Sequence, residues 1–343
     1  MTADCLRETS NVLILTAEEA EQTRELAARL ADEYSSTDDE RLLHDLPLLT
    51  PELPLRVRGF LRTYALDEIE GHCVVAGHVI DEERIGPTPE HWKGRTRPGP
   101  EFPEEILLLL YAALLGEPFG WSTQQDGHFV NDVFPVREFE QERLGTGSQV
   151  QLTMHTEDAF HQYRADYVIF ATLRNPDAIP TVIAELDCSE LTPDDLETLF
   201  EPRFSVIPDT AHLARNNTVR TEADLAYFRA LEELTDHPSA VLFGSRTRPF
   251  LRFDESQMCA RLDDPEAARA FAALRELLVR ERRPCQLDQG ALLFLNNHRV
   301  VHGRNPFTAR YDGTDRWLKR INVTTDLRKS SDMRGRLGPR LIG

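Results

Sequence analysis

The chain has 343 residues, 41% of them hydrophobic, enough to bury one large core or two small ones. A formal net charge of −19 and a pI near 5.0, with no dense Lys/Arg block, argue against nucleic acid or an anionic membrane surface as partner. The cysteines Cys5, Cys73, Cys188, Cys259 and Cys285 are scattered and show no C-x-x-C spacing, which disfavours disulfides and a zinc knuckle and fits a reducing cytoplasm. No basic stretch precedes the short apolar run in MTADCLRETSNVLIL, so it does not read as a signal peptide. The longest apolar run, 106–115, ends at Gly116 and is too short to span a bilayer.

In chain order, residues 11–15 read as a short strand. Thr16 and Glu19 form a capping box that opens a helix with Leu26, Leu30 and Tyr34 on one stripe. Residues 35–55, polar and proline-containing, are expected to be loop with a short helix. A buried strand is predicted over 73–80, a long surface connection over 86–103 and a buried helix over 104–115. FGWSTQQDGHFVNDVFPV alternates turn residues with β-formers and predicts a hairpin or two short strands. Core strands are expected at 167–173 and 181–186, and a helix begins at Thr192-Pro193. The polar stretch 207–221 reads equally as a surface loop or as a lid over a site. Strands follow at 240–243 and 250–253, and a helix runs from Asp264-Pro265 to about 282 with Phe271, Leu274 and Leu278 on its buried face. The last strands are 291–295 and 316–324. Many short strands, a few helices and no repeat suggest a mainly β fold in one domain over 1–343, a β-sandwich or jelly roll with added helices.

Within GSQVQLTMHTEDAFH, Val150, Leu152 and Met154 alternate with polar neighbours, the period of a strand. Residues two apart on a strand share a face, so His155 and Glu157 would project side by side. A second histidine would complete a two-histidine, one-carboxylate set that leaves three positions open on an octahedral Fe(II). Alone, a histidine beside an acid is more often an ordinary surface pair. ALLFLNNHRVVHGRNPF supplies His302 after a buried strand and a polar turn, with Gly303 permitting close backbone approach to a metal. His298, the rival, falls in the turn and is expected to be exposed. In DRWLKRINVT, Arg316, Leu318 and Arg320 share one strand face and Trp317, Lys319 and Ile321 the other. Two guanidinium groups on a buried face call for anionic partners, and arginine grips carboxylates bidentately.

HTEDAFH, NNHRVVHGRNPF and DGTDRWLKRIN, with FGWSTQQDG and LRFD, together resemble the clavaminate-synthase-like branch of Fe(II)/2-oxoglutarate oxygenases over roughly residues 100–330. Within it the chain looks most like hydroxylases of free arginine, lysine or asparagine from peptide-antibiotic pathways. The resemblance implies a double-stranded β-helix (jelly-roll, cupin-like) core flanked by helices, with Fe(II) as cofactor and 2-oxoglutarate and O2 as co-substrates. It implies iron ligation by His155, Glu157 and His302, and Arg316 on the distal carboxylate of 2-oxoglutarate. Arg320 would hold the α-carboxylate of the amino-acid substrate, Gln124 and Gln125 its α-amino end, and Asp254 its side chain. Arginine-specific members carry a second acid two residues after that aspartate; Ser256 stands there, with Glu255 between. Asp254 could equally be a turn or cap residue.

The resemblance further implies hydroxylation, at C3, of a free and most readily basic amino acid, with 2-oxoglutarate consumed to succinate and CO2. Halogenating relatives lack the carboxylate ligand, so Glu157 argues against halogenation. Two other classes compete. A His₂Glu site also suits a zinc hydrolase, although the H-E-x-x-H pattern is absent. A cupin-like protein that keeps a metal for structure would not need the paired arginines.

Overall fold

A computed structural model describes residues 11–343 apart from 68–69, 215–216, 218–221, 223–224, 227, 230–237 and 335–337. Its strands are β1 (Val12–Ile14), β2 (His72–Ala76), β3 (Glu117–Trp121), β4 (Val130–Val133), β5 (Leu152–His155), β6 (Tyr167–Arg174), β7 (Thr181–Glu185), β8 (Phe204–Val206), β9 (Leu242–Gly244), β10 (Pro249–Leu251), β11 (Met258–Ala260), β12 (Arg283–Cys285), β13 (Leu292–Asn296), β14 (Val300–Arg304), β15 (Trp317–Thr324) and β16 (Leu341–Ile342).

The expected capping box is present: Thr16 and Glu19 close the start of the helix Ala17–Glu33, which buries Leu26 and Leu30. The stretch read as mostly loop is instead largely helical. Asp39 caps the helix Glu40–Leu49, and Leu55–Asp67 follows. Their buried Leu42, Leu43, Leu46, Val57 and Leu61 form apolar stripes that Pro47, Pro51 and Pro54 interrupt in the sequence. Pro51 opens a short 3-10 turn and Pro54 precedes the next helix, places where proline is tolerated, while Pro47 lies in the last turn of Glu40–Leu49, which ends two residues later. The strand expected over 73–80 stops at Ala76, where Gly77 turns the chain with φ 102°. The helix predicted over 104–115 spans Phe102–Ala113. Trp92 is buried within the connection before it.

Eight strands form one sheet in the order β1-β2-β13-β6-β15-β3-β16, with β4 also beside β15. Only the β1–β2 and β3–β16 pairings are parallel. Residues 119–136 make two strands that pair with β15, not with each other. Four strands form a second, antiparallel sheet in the order β12-β7-β14-β5. Val74, Phe170, Leu293 and Leu318 of the larger sheet share one apolar cluster with Ile183 and Val300 of the smaller, so the two sheets close on a common core. Helices Ala17–Glu33 and Phe102–Ala113 cover the other face of the larger sheet. The excursion between β7 and β12 carries the pairs β8–β11 and β9–β10 and packs under the helix Pro265–Arg280. No helix among the described residues is long and apolar enough to cross a membrane.

Strand β15 takes partners from β6, β3 and β4, and its two faces differ as the alternation predicts. Lys319, wholly buried, points to the helix side, where Nζ reaches Glu101 and Glu105 at 2.7 Å each and Asp132 at 2.6 Å. Arg95 and Arg97 join Asp132 at 2.7 and 3.0 Å, completing an internal charge network. Gly303 is needed for packing as well. A Cβ there would stand 2.5 Å from the Leu152 carbonyl oxygen, so the tight β14–β5 pairing also requires the glycine, which lines the cavity beside His155, Glu157 and His302.

Candidate metal centre and active site

Strand register brings the two distant histidines together. His302 lies directly across from His155 in the β14–β5 ladder, and their ring centroids are 4.4 Å apart. Glu157 falls two residues beyond the end of β5, so the pleat alone does not aim it. Asn297 does much of that work: its Oδ1 accepts from the Glu157 N–H at 2.7 Å and its Nδ2 donates to the Glu157 carbonyl at 3.0 Å. The Thr156 N–H also donates to the Phe253 carbonyl at 2.8 Å. Asp158 then reverses the chain with φ 53°, held by Trp121 Nε1 at 2.6 Å and His212 Nε2 at 2.8 Å.

Glu157 Oε2 stands 3.8 Å from His155 Nε2 and 3.4 Å from His302 Nε2. Ligands about 2.1 Å from a metal at right angles stand about 3 Å apart, so a small inward adjustment suits an octahedral ion. His155 Nδ1 lies 2.8 Å from the Thr153 carbonyl. A carbonyl only accepts, so Nδ1 carries a proton, which leaves Nε2 as the nitrogen a metal would take. Burial and the charge of His155 push His302 down to about 4, keeping it in the neutral form a metal needs. Burial opposes ionisation of Glu157, but Arg320 and then His302 outweigh it and hold the carboxyl well below its usual range. For His155 burial acts downward, while Glu157 and Asp254 win and raise it. A second group, Glu70, His72 and Glu185, also gathers three ligand atoms. There Glu185 is already paired with Arg299 at 3.0 Å, which weakens it as a ligand.

The two carboxylate oxygens of Glu157 are divided: Oε2 faces the histidines and Oε1 accepts from Arg320 Nη1. Arg320 Nη2 reaches Gln124 Oε1 at 2.6 Å and Asn131 Oδ1 at 3.0 Å, while its Nε is buried without a partner. Arg316 lines the same cavity but stands differently. It is 6% exposed, its one side-chain hydrogen bond is to Thr181 Oγ1 at 3.2 Å, and no carboxylate among the described residues pairs with it. Burial, then the charge of Arg304, push it down to about 9. A buried guanidinium without a counterion beside a metal-ligand cluster fits a carboxylate that arrives from outside the protein.

The other expected residues separate. Gln124 lines the cavity with His155, Glu157, His302, Arg316 and Arg320. Gln125 does not: its amide accepts from the Asp132 N–H and donates to the Asp132 carbonyl, both at 2.8 Å, which fixes the turn before β4. Asp254 bridges to His155 and caps its own turn, with Oδ1 accepting from Ser256 N, Ser256 Oγ and Gln257 N at 2.8, 3.0 and 2.8 Å. None of these bonds uses Oδ2. His298, expected to be exposed, is partly buried and paired with Asp166 at 2.7 Å. Of the stretch 207–221, residues 215–216 and 218–221 lie outside the described residues. Within the rest, Asp209 and Ala211 line the cavity, and buried His212 bonds Thr123 Oγ1 at 2.7 Å. Sequence reasoning missed Asp209, whose carboxyl is raised by burial against the opposing Ala211 N–H. It also missed Asn297, which as part of an Asn-Asn turn carried no distinguishing signal.

Residues 190–322 match the taurine catabolism dioxygenase TauD, TfdA family. An enduracididine β-hydroxylase of Streptomyces hygroscopicus is 39% identical over 319 residues, covering 90% of this chain and 93% of that protein. An L-ornithine/L-arginine 3-hydroxylase of Catenulispora acidiphila is 37% identical, covering 96% and 99% respectively. In structure the chain is similar to the non-heme iron oxygenase OrfP bound to Fe, succinate and (3S)-hydroxy-L-Arg, with a TM-score of 0.93 and 52% identity over 97% of this chain and 99% of that one. It is likewise similar to OrfP with Fe and alpha-ketoglutaric acid, with a TM-score of 0.89, 50% identity, and 98% and 100% coverage.

Proposed function

The chain belongs to the TauD/TfdA family of Fe(II)/2-oxoglutarate-dependent dioxygenases, and from that premise we propose that it hydroxylates C3 of free L-arginine or a close guanidino amino acid. The zinc-hydrolase and structural-cupin alternatives fall with that membership. The two facing sheets are read as a jelly-roll core. We also propose a cytoplasmic place and a role in antibiotic biosynthesis, as the sequence resemblance implies.

His155, Glu157 and His302 would hold the iron on one side, the arrangement this ion uses for oxygenase chemistry. Bound there, the iron supplies oxidising power, with O2 and 2-oxoglutarate converted to CO2 and succinate as a C–H bond becomes C–OH. The residues bind and orient. Arg316 would take the distal carboxylate of 2-oxoglutarate, which removes the cost of its unpaired charge. Arg320, already braced by Glu157, Gln124 and Asn131, would offer the substrate α-carboxylate its remaining donors, and Gln124 would meet the α-amino end. Gln125 we assign to the turn alone.

The second acid missing at Ser256 has a substitute. Asp209 lies close enough to Asp254 for the two charges to interact, and it lines the cavity. Asp254 Oδ2 and Asp209 would together meet a guanidinium, which supports a basic substrate over asparagine. The observation that carries this function is Arg316, a buried cation with no counterion among the described residues, beside the His155–Glu157–His302 cluster. A panel of free amino acids, with O2 and 2-oxoglutarate and read by mass spectrometry, tests it. A gain of one oxygen on arginine or its guanidino relatives is expected; preference for asparagine or glutamine would refute the substrate assignment.

A further inference from the structure

Behind the segment that follows Glu157 lies a second cavity of ≈ 290 Å³, lined by Arg164, Asp166, Phe243, Arg252, His298 and Lys329 among others. None of these lines the cavity around His155. Arg164 is 6% exposed, yet its guanidinium makes no hydrogen bond or ion pair among the described residues, and its Nε is buried without a partner there. Its contact is the face of Phe243, 5.0 Å from the ring centroid. Arg252, from the connection after β10, lines the same cavity and donates to Ser239 Oγ at 2.9 Å. No carboxylate among the described residues lies within ion-pair distance of either arginine.

The two acids that line the cavity are committed elsewhere. Asp166 accepts from His298 at 2.7 Å, from the Thr325 N–H and Oγ1 at 2.6 and 2.8 Å, and from Thr324 Oγ1 at 3.1 Å. Asp326 caps the following turn and pairs with Arg328 at 2.8 Å. Lys329 Nζ adds positive charge 3.7 Å from Asp166. Within a chain of net charge −19, two guanidinium groups thus line one cavity with no carboxylate among the described residues within ion-pair distance of either. Burial, and then the charge of Arg252, push Arg164 down to about 9 against the weaker opposing pull of Asp166. A lone buried guanidinium is costly, and an oxyanion that fills its donors removes that cost. Arg316 carries the same signature at the site already described.

We propose that this cavity is a second anion site, in which a small oxyanion, phosphate or carboxylate, sits between the guanidinium groups of Arg164 and Arg252. Such an anion would tie the segment after Glu157 to the turn before His302 and to the β9–β10 hairpin.

Thermal unfolding of the Fe(II)-loaded protein under argon, at fixed ionic strength, tests this with inorganic phosphate in one arm and succinate in the other. The wild type and an Arg316→Met variant are expected to gain about 5 °C when an anion stands near 100 times its Kd. Arg164→Met, and Arg252→Gln as a second variant should the first fail to fold, are expected to lose that gain. Without added anion, Arg164→Met is expected to melt no lower than the wild type. A response to phosphate alone identifies a phosphate ligand; a response to succinate that survives Arg316→Met identifies a carboxylate. The proposal is overturned if neither anion raises the midpoint, if Arg164→Met and Arg252→Gln respond like the wild type, or if only Arg316→Met abolishes the response.

Discussion

Replacing Arg316 by methionine should separate binding from stability with opposite signs. In the protein alone, Arg316 is 6% exposed and bonded only to Thr181 Oγ1 at 3.2 Å, so its charge is unpaid for by any internal partner. Removing it forfeits about 1.5–3 kcal/mol for that hydrogen bond from a charged donor and recovers a desolvation cost of several kcal/mol. The fold should therefore melt at the same temperature or higher. With 2-oxoglutarate bound, the same side chain would make two charge-assisted hydrogen bonds, each worth about 1.5–3 kcal/mol. At about 1.4 kcal/mol per factor of ten, their loss raises the 2-oxoglutarate requirement by roughly 10²- to 10⁴-fold. Succinate formation against 2-oxoglutarate concentration measures the second effect, and scanning fluorimetry with and without 2-oxoglutarate the first. A variant that melts many degrees lower yet keeps its 2-oxoglutarate requirement would show that Arg316 is a structural residue and that the reasoning is wrong.

Lys319→Met should do the reverse, because it strips the shared partner from Glu101, Glu105 and Asp132. Breaking a buried pair costs about 3–5 kcal/mol, or roughly 6–15 °C in midpoint, and a melting temperature within a degree or two of wild type would contradict it. Asp209→Asn should raise the requirement for arginine by about tenfold or more and leave the 2-oxoglutarate requirement unchanged; an equal change in both would place Asp209 elsewhere than at the substrate side chain. For His78, burial lowers the folded pKa to about 4 from 6.5. The unfolded state then binds its proton first, so this contribution to stability is intact above pH 6.5 and is lost as pH falls toward 4. His78→Gln should flatten the dependence of unfolding free energy on pH by up to about 1.4 kcal/mol per unit in that window. Parallel urea curves at pH 5 and 6.5 for variant and wild type would refute it.

What was legible in the sequence follows the physics of each signal. The capping box of Thr16 and Glu19, the alternation on β15 and the apolar stretches of β6 and β13 are local patterns, and each predicted its element. The helix Leu55–Asp67 was hidden because three prolines precede it and only Val57 and Leu61 are buried on it, too few to set a period. At the site, the residue types and order of His155, Glu157 and His302 were legible, but the device that aims Glu157 was not. Its orientation depends on Asn297, 140 positions away, and on Phe253, contacts that no periodicity encodes. The same limit hid Asp209, whose approach to Asp254 is fixed by tertiary packing alone.

The two faces of β15 explain why adjacent cations on one strand should answer mutation with opposite signs. Lys319 faces the helix Phe102–Ala113 and finds three carboxylates waiting, so its burial is compensated within the chain and the network can be made once, at folding. Arg320, one residue on, is half-way: Glu157 and the side-chain oxygens of Gln124 and Asn131 occupy it, yet its Nε remains unpartnered. Arg316 has no carboxylate partner among the described residues. Compensation among the described residues is thus complete for Lys319 on the helix side, partial for Arg320 and absent for Arg316, the last two both facing the cavity. Charge left uncompensated at folding is free energy available for binding, because an incoming carboxylate recovers a cost the folded chain already carries. A strand whose cations were all paired internally would fold more stably and bind 2-oxoglutarate less well. The contrast between Lys319→Met and Arg316→Met measures that exchange directly.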